Sequence, residues 1–401
     1  MKIPILSILL AWRLVAAATA GEADDGTLPQ AIQVTGCTLS HRLLHDEALL
    51  EYLLSDSLLT IHATTGDSTQ ETVQHLSPLF WQSLESFRRK LASADPTDLS
   101  FAGEILYSYL VGTVEGFISG KRRLIVIAAP PLSGLPFEAL ARRSLCHGSG
   151  ERNCLRYLVQ DFEVVYHRSV ASWIISAGSG TWSSSAASDD KKFGFTGFAP
   201  AACHGRDYTG LLCASHEIKS LDSLFRRKGI HSYIKIIEEW DRDTFYRVAS
   251  AGRIVHLATH AVYDGKERGP SALLFPGNDR QGGGACFTPR LLTAGEISAM
   301  STDADLVVLN ACRTAGSSPA RGTPELTLPE LFSQAGARNV LYTLWNVADR
   351  PAERFILDFY RALLDGKNCS AALREVKLQW IRRRETSLPF LWAVYVLTGE
   401  G

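Results

Sequence analysis

Two short runs of aliphatic and β-branched residues between Arg253 and Ala315 constrain the fold more than any other part of the sequence. The first run reads RIVHLATH and ends at His260, and the second reads LVVLNACRTA and carries Cys312. Uninterrupted apolar runs of this length are typical of strands that are buried on both faces of a sheet. We therefore expect two neighbouring parallel strands that bring His260 and Cys312 to the same edge of one sheet.

Similar apolar runs recur along the second part of the chain, and helical patterns separate them. Predicted strands have the sequences LIVIAAPP, FEVVYH, FGFTGFAP, NVLYTL and LWAVYVLTG. Predicted helices cover residues 215–228, 324–335, 351–365 and 370–384. Glycine follows three of these helices, as expected where a helix ends. Strands alternating with helices predict an α/β fold with a mostly parallel sheet and helices on both faces.

The part of the chain before residue 121 has a different pattern. The segments ALLEYLLSD and SLLTIHATTGD, separated by a polar turn, predict a β-hairpin. Two helices follow, the first beginning at Ser77 and Pro78 and the second near Thr97. We therefore expect a small N-terminal region, residues 21–120, with a lead-in, a hairpin and helices, followed by the main α/β domain over residues 121–401.

Residues 1–20 have the pattern of an export signal. Lys2 precedes an apolar run over residues 3–12, and the small triplet at 18–20 fits a cleavage site. Arg13 interrupts the run and argues against a membrane-spanning helix, and no other stretch is long enough to span. We expect an exported mature protein that begins near Gly21 and is periplasmic or extracellular, with a cytoplasmic protein as the alternative.

Charge and cysteine content narrow the possible partners and compartments. The chain has 41 basic and 42 acidic residues, so it lacks the basic excess of nucleic-acid-binding proteins. Among its eight cysteines, Cys146 and Cys154 flank one polar loop, and Cys203 and Cys213 flank another. This spacing is expected of small disulfide loops in an oxidising space, and ordinary thiols are the alternative.

His260 and Cys312 are the residue types that a cysteine peptidase requires. A thiol attacks a carbonyl carbon as thiolate, and an adjacent imidazole lowers the pKa of the thiol and later protonates the leaving amine. The two residues are 52 positions apart, close to the His-to-Cys spacing of caspases. His256 lies further back from the sheet edge and is expected to be structural. No third ligand stands at a spacing suited to a metal site, and no G-x-S-x-G elbow is present.

Several longer motifs surround the two residues. HLATH, LLTAGEI, LNACRTA, AGARNVLYTLWNVAD, AALREVK and FLWAVYVLTG together resemble the CHAT-domain family of caspase-like, clan CD cysteine peptidases. LIVIAAPPLSGLPFEAL resembles the early strand-and-turn segment of that family, and ALLEYLLSD resembles the region often found just before it, so the resemblance covers residues 48–400 in the correct order. It implies a caspase-haemoglobinase-like fold and hydrolysis of peptide bonds without metal or organic cofactor.

The resemblance also implies roles for individual residues. His260 matches the general acid/base and Cys312 the nucleophile, while the backbone amides of Ala261 and Cys312 would form the oxyanion hole. Family members commonly have glycine directly after the histidine, where this chain has Ala261. Asp264 and Asp349 are candidates for a substrate-binding carboxylate beside a basic P1 side chain. The alternatives are a loop residue for Asp264 and a helix cap for Asp349.

The sequence therefore predicts a cysteine endopeptidase, exported from a bacterial cell, that acts on protein or peptide substrates. Family members often stand beside helical repeats that recognise partners, and the chain shows no such repeat. A partner protein is therefore a candidate for recognition and activation. The alternative function is a catalytically silent caspase-like domain that serves as a protein-interaction or regulatory module.

Overall fold

The computed structural model describes residues 40–95, 99–144, 154–176, 193–200, 211–237, 241–263, 270–276, 289–311 and 326–401. The strands in these ranges, β1 to β15 in chain order, are Glu47–Leu54, Leu58–Thr65, Thr69–His75, Arg123–Ala128, Ala141–Ser144, Cys154–Tyr157, Glu163–His167, Phe193–Pro200, Ser232–Ile237, Gly252–Tyr263, Pro270–Pro276, Pro289–Thr293, Leu306–Ala311, Asn339–Thr343 and Tyr395–Gly399. The helices, α1 to α10, are Pro78–Ala92, Leu99–Tyr107, Val170–Ser176, Leu211–Arg227, Arg242–Ala251, Ala294–Ser298, Leu328–Gln334, Asp349–Leu364, Cys369–Arg382 and Pro389–Trp392.

Thirteen of the described strands form one sheet, and β5 and β6 form a separate antiparallel pair. The order of the large sheet is β12-β11-β10-β13-β14-β15-β7-β4-β1-β2-β3, with β8 paired to β10 and β9 paired to β8. The central pairs β8–β10, β10–β13, β13–β14, β4–β7 and β1–β4 are all parallel, whereas β14–β15 is antiparallel. The mostly parallel α/β fold expected from the sequence is therefore confirmed.

The strand β10 changes neighbours along its length. Its first half, Gly252 to Leu257, pairs in parallel with β8, whereas His260 to Tyr263 pairs antiparallel with β11. On its other side it pairs in parallel with β13 as far as Thr259. His260 therefore lies where the parallel sheet ends and its neighbouring chains diverge.

The two faces of this part of the sheet bury alternate residues. Ile254 and Val308 join the core cluster that contains residues of α4 and α8. Val255 and Leu309 join the cluster that contains residues of α5, α6 and α7. Successive strand residues point to opposite faces, so both faces of β10 and β13 are covered by helices. Their uninterrupted apolar sequences follow directly from this arrangement.

The N-terminal hairpin belongs to the same sheet. β1 and β2 pair antiparallel, and β1 pairs in parallel with β4 at the start of the main domain. The predicted hairpin is thus confirmed, and a third strand, β3, follows it. β3 reads TQETVQH, in which Val73 alone is a large apolar residue, and its residues are alternately exposed and half-buried. This pattern fits a polar edge strand.

Several predicted elements start or stop elsewhere. The predicted helix at 351–365 is α8 and begins at Asp349, because a helix tolerates a proline in its first turn, where the backbone N–H groups have no intrahelical acceptor. The predicted helix at 324–335 is α7, which begins at Leu328. Asp241 caps α5 as expected, accepting hydrogen bonds from the backbone N–H groups of Asp243 and Thr244.

Some expectations concern residues outside the described ranges. The export signal at residues 1–20 and the lead-in up to residue 39 are among them. Cys146 and Cys203 are also outside, so the two disulfide loops stay predictions. Cys369, at the start of α9, is a buried free thiol. In the part of the chain that is described, no helix combines the length and hydropathy needed to cross a membrane.

Candidate active site

A pocket opens at the carboxyl ends of β13 and β14, beside the residues of β10 at which its parallel pairing ends. It contains about 550 Å³ of empty space, including the solvent at its mouth. Its lining residues are Ala214, Glu217, Ala258, Thr259, His260, Asn310, Ala311, Thr343, Trp345, Val347, Asp349, Ala352 and Tyr395. Ligand sites of open parallel sheets gather at this edge, because the loops diverge there.

The parallel pairing of β10 with β13 ends at the pocket. Ala258 pairs with Asn310, and Thr259 pairs with Ala311. His260 directly follows Thr259, is half-buried and lines the pocket. Cys312 directly follows Ala311 in the sequence and lies outside the described residues. The structure thus places His260 at the predicted edge and brings the chain to within one residue of Cys312 on the adjacent strand.

Two threonine side chains hold these strand ends. The hydroxyl of Thr343 in β14 donates a hydrogen bond of 2.6 Å to the carbonyl oxygen of Ala311. The hydroxyl of Thr259 donates to the carbonyl oxygen of Leu274 in β11. The backbone on both sides of the pocket is therefore tied to neighbouring strands at the residues that precede the two candidate catalytic positions.

The environment of His260 favours its neutral form. Burial lowers the pKa of the imidazole below its usual value, and the negative charge of Asp349 opposes this effect in part. An imidazole whose pKa is lowered stays unprotonated at neutral pH and is able to accept a proton. This is the state that a general base requires.

Asp349 lines the pocket from the start of α8. The residue preceding this helix is Ala348, and no side chain caps the helix there. The alternative interpretation of Asp349 as the helix cap is therefore wrong, since Asp349 is itself the first helical residue. Its carboxylate lies at the pocket and acts electrostatically on His260.

The other predicted site residues are less fully described. Ala261 lies opposite Leu273 in the ladder between β10 and β11, and its side chain is half-buried. The role of its backbone amide in an oxyanion hole stays a prediction. Asp264 lies outside the described residues.

Glu217 is a pocket residue that the sequence interpretation missed. It lies on α4, is 4% exposed and contacts both strands of the site. It accepts hydrogen bonds from His256 on β10 and from Asn310 on β13. The signal in the sequence is its spacing, because Glu217 is four residues before Leu221 and so lies on the apolar stripe of its helix.

The fold is that of caspase-like α/β proteins. It is similar to a chain in the crystal structure of the Saccharomyces cerevisiae separase–securin complex, with a TM-score of 0.55 at 10% sequence identity. The superposition covers 90% of this chain and 30% of the separase–securin chain. At this identity the likeness concerns the fold alone.

The sequence places the protein in a defined family. The sequence model of the CHAT domain matches residues 102–400, and the chain therefore belongs to the CHAT-domain family. Tetratricopeptide repeat protein 28 of Homo sapiens is 36% identical over 111 residues, which are 27% of this chain and 4% of the relative. The Mus musculus protein of the same name gives the same identity and coverage. The chain thus matches only a small part of these relatives, both of which are mammalian.

Proposed function

We propose that the protein is a cysteine endopeptidase in which Cys312 is the nucleophile and His260 is the general acid and base. The observation that carries this proposal is the register of Thr259 with Ala311, which leads β10 and β13 side by side into the pocket. Consecutive Cα atoms are about 3.8 Å apart and neighbouring strands about 4.8 Å apart. The residues after this pair therefore start from neighbouring backbones at one sheet edge.

The chemistry follows from the two side chains. His260 takes the proton of the Cys312 thiol, and the thiolate attacks the carbonyl carbon of the scissile bond. The tetrahedral intermediate collapses when the C–N bond breaks and the imidazolium gives its proton to the leaving amine. A water molecule then attacks the thioester, His260 takes the water proton, and the carboxylic acid and the free thiol are released. The lowered pKa of His260 keeps the imidazole unprotonated before this step.

The backbone amides of Ala261 and Cys312 are our candidates for the oxyanion hole, because N–H donors there need no particular side chain. For substrate selection we propose Asp349, whose carboxylate lines the pocket beside His260. A carboxylate in that position attracts a Lys or Arg side chain at P1. Asp264 is the second candidate for the same role.

The alternative function is a catalytically silent module that binds other proteins. The 36% match to part of tetratricopeptide repeat protein 28 supports it, because that relative is named for its repeats and not for an enzymatic activity. The matching segment is 4% of its length. The separase in the structural neighbour is itself in complex with securin. We propose on this basis that a partner protein regulates the chain, whichever function it has.

Cleavage of a peptide library tests the endopeptidase proposal. Purified wild-type protein, the Cys312→Ala variant and the His260→Ala variant are incubated with the library, and new termini are identified by mass spectrometry. Cys369→Ala is the matched control, because Cys369 is a buried free thiol in α9. We expect wild type and Cys369→Ala to cleave and the other two variants to lose cleavage.

Two results would count against the endopeptidase. Cleavage that persists in Cys312→Ala would exclude Cys312 as the nucleophile. If the wild-type protein leaves the library and a proteome extract uncut, and binds a protein from that extract equally well with and without Cys312, the interaction module is favoured.

A further inference from the structure

The carboxylate of Glu217 joins the two strands of the proposed dyad although it lies on neither. One carboxylate oxygen accepts hydrogen bonds from Nε2 of His256 at 2.7 Å and from Nδ2 of Asn310 at 2.9 Å. The other oxygen accepts from Nδ2 of Asn310 at 2.7 Å. These contacts link α4 to β10 and to β13 at the same time.

The contact with His256 continues to a further helix. His256 is fully buried, and its Nδ1 atom is 3.0 Å from the hydroxyl of Tyr360 on α8. The ionised carboxylate of Glu217 can only accept, so Nε2 of the neutral imidazole carries the proton and donates to it. Nδ1 is then the acceptor, and the Tyr360 O–H donates to it. His256 on β10 and Asn310 on β13 therefore fix the orientation of the Glu217 carboxylate.

These contacts involve residues that come shortly before the two candidate catalytic residues in the same two strand segments. His256 is four residues before His260, and Asn310 is two residues before Cys312. Residues at even spacing share a face of a strand, so His256 and His260 belong to the face that α4 covers. Glu217, His260 and Asn310 line the same pocket.

Burial of a glutamate at this position is unfavourable in free energy unless its charged carboxylate makes contacts there. Burying a carboxylate is unfavourable when its oxygens lack donors, and here they accept from two different strands. Glutamine has a single acceptor oxygen, and its amide NH₂ would face a donor of His256 or Asn310. A carboxylate accepts from both strands at once, whereas a glutamine could bridge them only if His256 changed to the tautomer that has its proton on Nδ1.

We propose that Glu217 is a positioning residue that fixes the ends of β10 and β13 relative to each other. In this role it holds the imidazole of His260 against the thiol of Cys312. The inference rests on the proposed Cys–His function and adds a residue outside both catalytic strands.

The test measures the pH dependence of Cys312 alkylation by iodoacetamide. Mass spectrometry of the Cys312 peptide gives the rate in the full chain for wild type, Glu217→Gln and Glu353→Gln. Glu353 is the matched control, because it accepts from His216 at the same distance of 2.7 Å and from Ser220, and among the described residues both of these partners lie on α4 and not on β10 or β13. A thermal unfolding midpoint confirms that each variant is folded.

The direction of the pH shift separates positioning from simple charge. Removing the negative charge of Glu217 would by itself lower the pKa of a nearby thiol, since a like charge disfavours the thiolate. Loss of alignment with the His260 imidazole raises it instead. We expect Glu217→Gln to raise the midpoint of alkylation and to slow peptide cleavage by about tenfold or more, the scale of a small misplacement of reacting groups.

A midpoint in Glu217→Gln that is unchanged or lower than in wild type would overturn the inference. Should that variant not fold, Asn310→Ser, which keeps the contact between Glu217 and His256, has to give the same upward shift. His260→Ala distinguishes failure of the proposed dyad from failure of the proposed role of Glu217. If it leaves the alkylation profile unchanged, the dyad itself fails, whereas a shift in His260→Ala without one in Glu217→Gln rejects only the role of Glu217.

Discussion

Thr259 and Ala311 lie opposite each other in the parallel ladder between β10 and β13, at the edge of a pocket that His260 lines. Each is the last residue before a candidate catalytic position. The side-chain hydroxyl of Thr259 and the carbonyl of Ala311 are in turn bonded to β11 and β14. The pair explains why two residues far apart in sequence are candidates for one reaction.

Substitution of Asp349 tests its electrostatic effect on His260. The carboxylate opposes the lowering of the His260 pKa by burial, so Asp349→Asn is expected to lower that pKa further. NMR titration of the imidazole in the Cys312→Ala background measures it without interference from the thiol. Asp365→Asn, at the other end of α8, is the control and should leave the titration of His260 unchanged. A higher pKa in Asp349→Asn would contradict the assignment.

The same substitution tests the proposed preference for a basic P1 residue. A hydrogen bond to a charged group is worth about 1.5 to 3 kcal/mol, which corresponds to about ten- to hundredfold in the ratio of kcat/KM values. We expect Asp349→Asn to reduce the preference for Arg or Lys over Gln at P1 by this factor. An unchanged preference would transfer the role to another carboxylate, with Asp264→Asn as the next variant.

The buried ion pair between Lys377 and Glu138 is expected to dominate the stability of the region around α9. Lys377 Nζ is 2.8 Å from Glu138 Oε1, and both side chains are almost fully buried. Lys377→Met leaves the carboxylate without its cation and should lower the free energy of unfolding by about 3 to 5 kcal/mol. Urea denaturation measures the change.

An exposed pair provides the control for this prediction. Lys228 and Asp365 are 2.9 Å apart with side chains that are 46% and 63% exposed. Lys228→Met should therefore cost less than about 1 kcal/mol. The double variant Lys377→Met with Glu138→Gln should recover much of the loss. Equal costs for the two single lysine variants would refute the prediction.

His167 makes stability depend on pH. Burial lowers its pKa from 6.5 to about 4, and its Nε2–H donates to the carbonyl oxygen of Gly399. Between these values the unfolded chain binds a proton that the folded chain does not, so stability is lost as the pH falls from 6.5 towards 4. At pH 5 this loss amounts to about 2 kcal/mol.

The comparison of wild type with His167→Gln isolates this contribution. From pH 7 to pH 5, the free energy of unfolding should fall by about 2 kcal/mol more in wild type than in His167→Gln. His75→Gln, at the exposed end of β3, should behave as wild type does. An identical pH dependence in wild type and His167→Gln would show that His167 is not kept neutral by the fold.

The sequence was informative where a local pattern determines the structure. The apolar runs ending at His260 and near Cys312 predicted strands, and the register of β10 with β13 agrees with their placement at one edge. The role of Glu217 could not be inferred in the same way. Its spacing indicates burial, but its partners, His256 and Asn310, come from segments that only the folded chain brings together.

Other differences have local causes. β3 has too few apolar residues to show a strand pattern, because as an edge strand it has little to bury. The alternative of Asp349 as a helix cap was wrong because Pro351 suggested a helix start two residues too late. In each case the local sequence pattern was weak, and contacts with other parts of the fold decide where the element forms. These contacts cannot be seen in the sequence alone.

The measurement that tests the central claim most directly is the distance between Cys312 Sγ and the nearer imidazole nitrogen of His260 in a crystal structure of the reduced protein. We predict a separation of about 3 to 4 Å, since nucleophile and base are often slightly further apart than hydrogen-bond distance before substrate binds. A separation more than about twice hydrogen-bond reach, with both side chains held by other partners, would contradict the dyad.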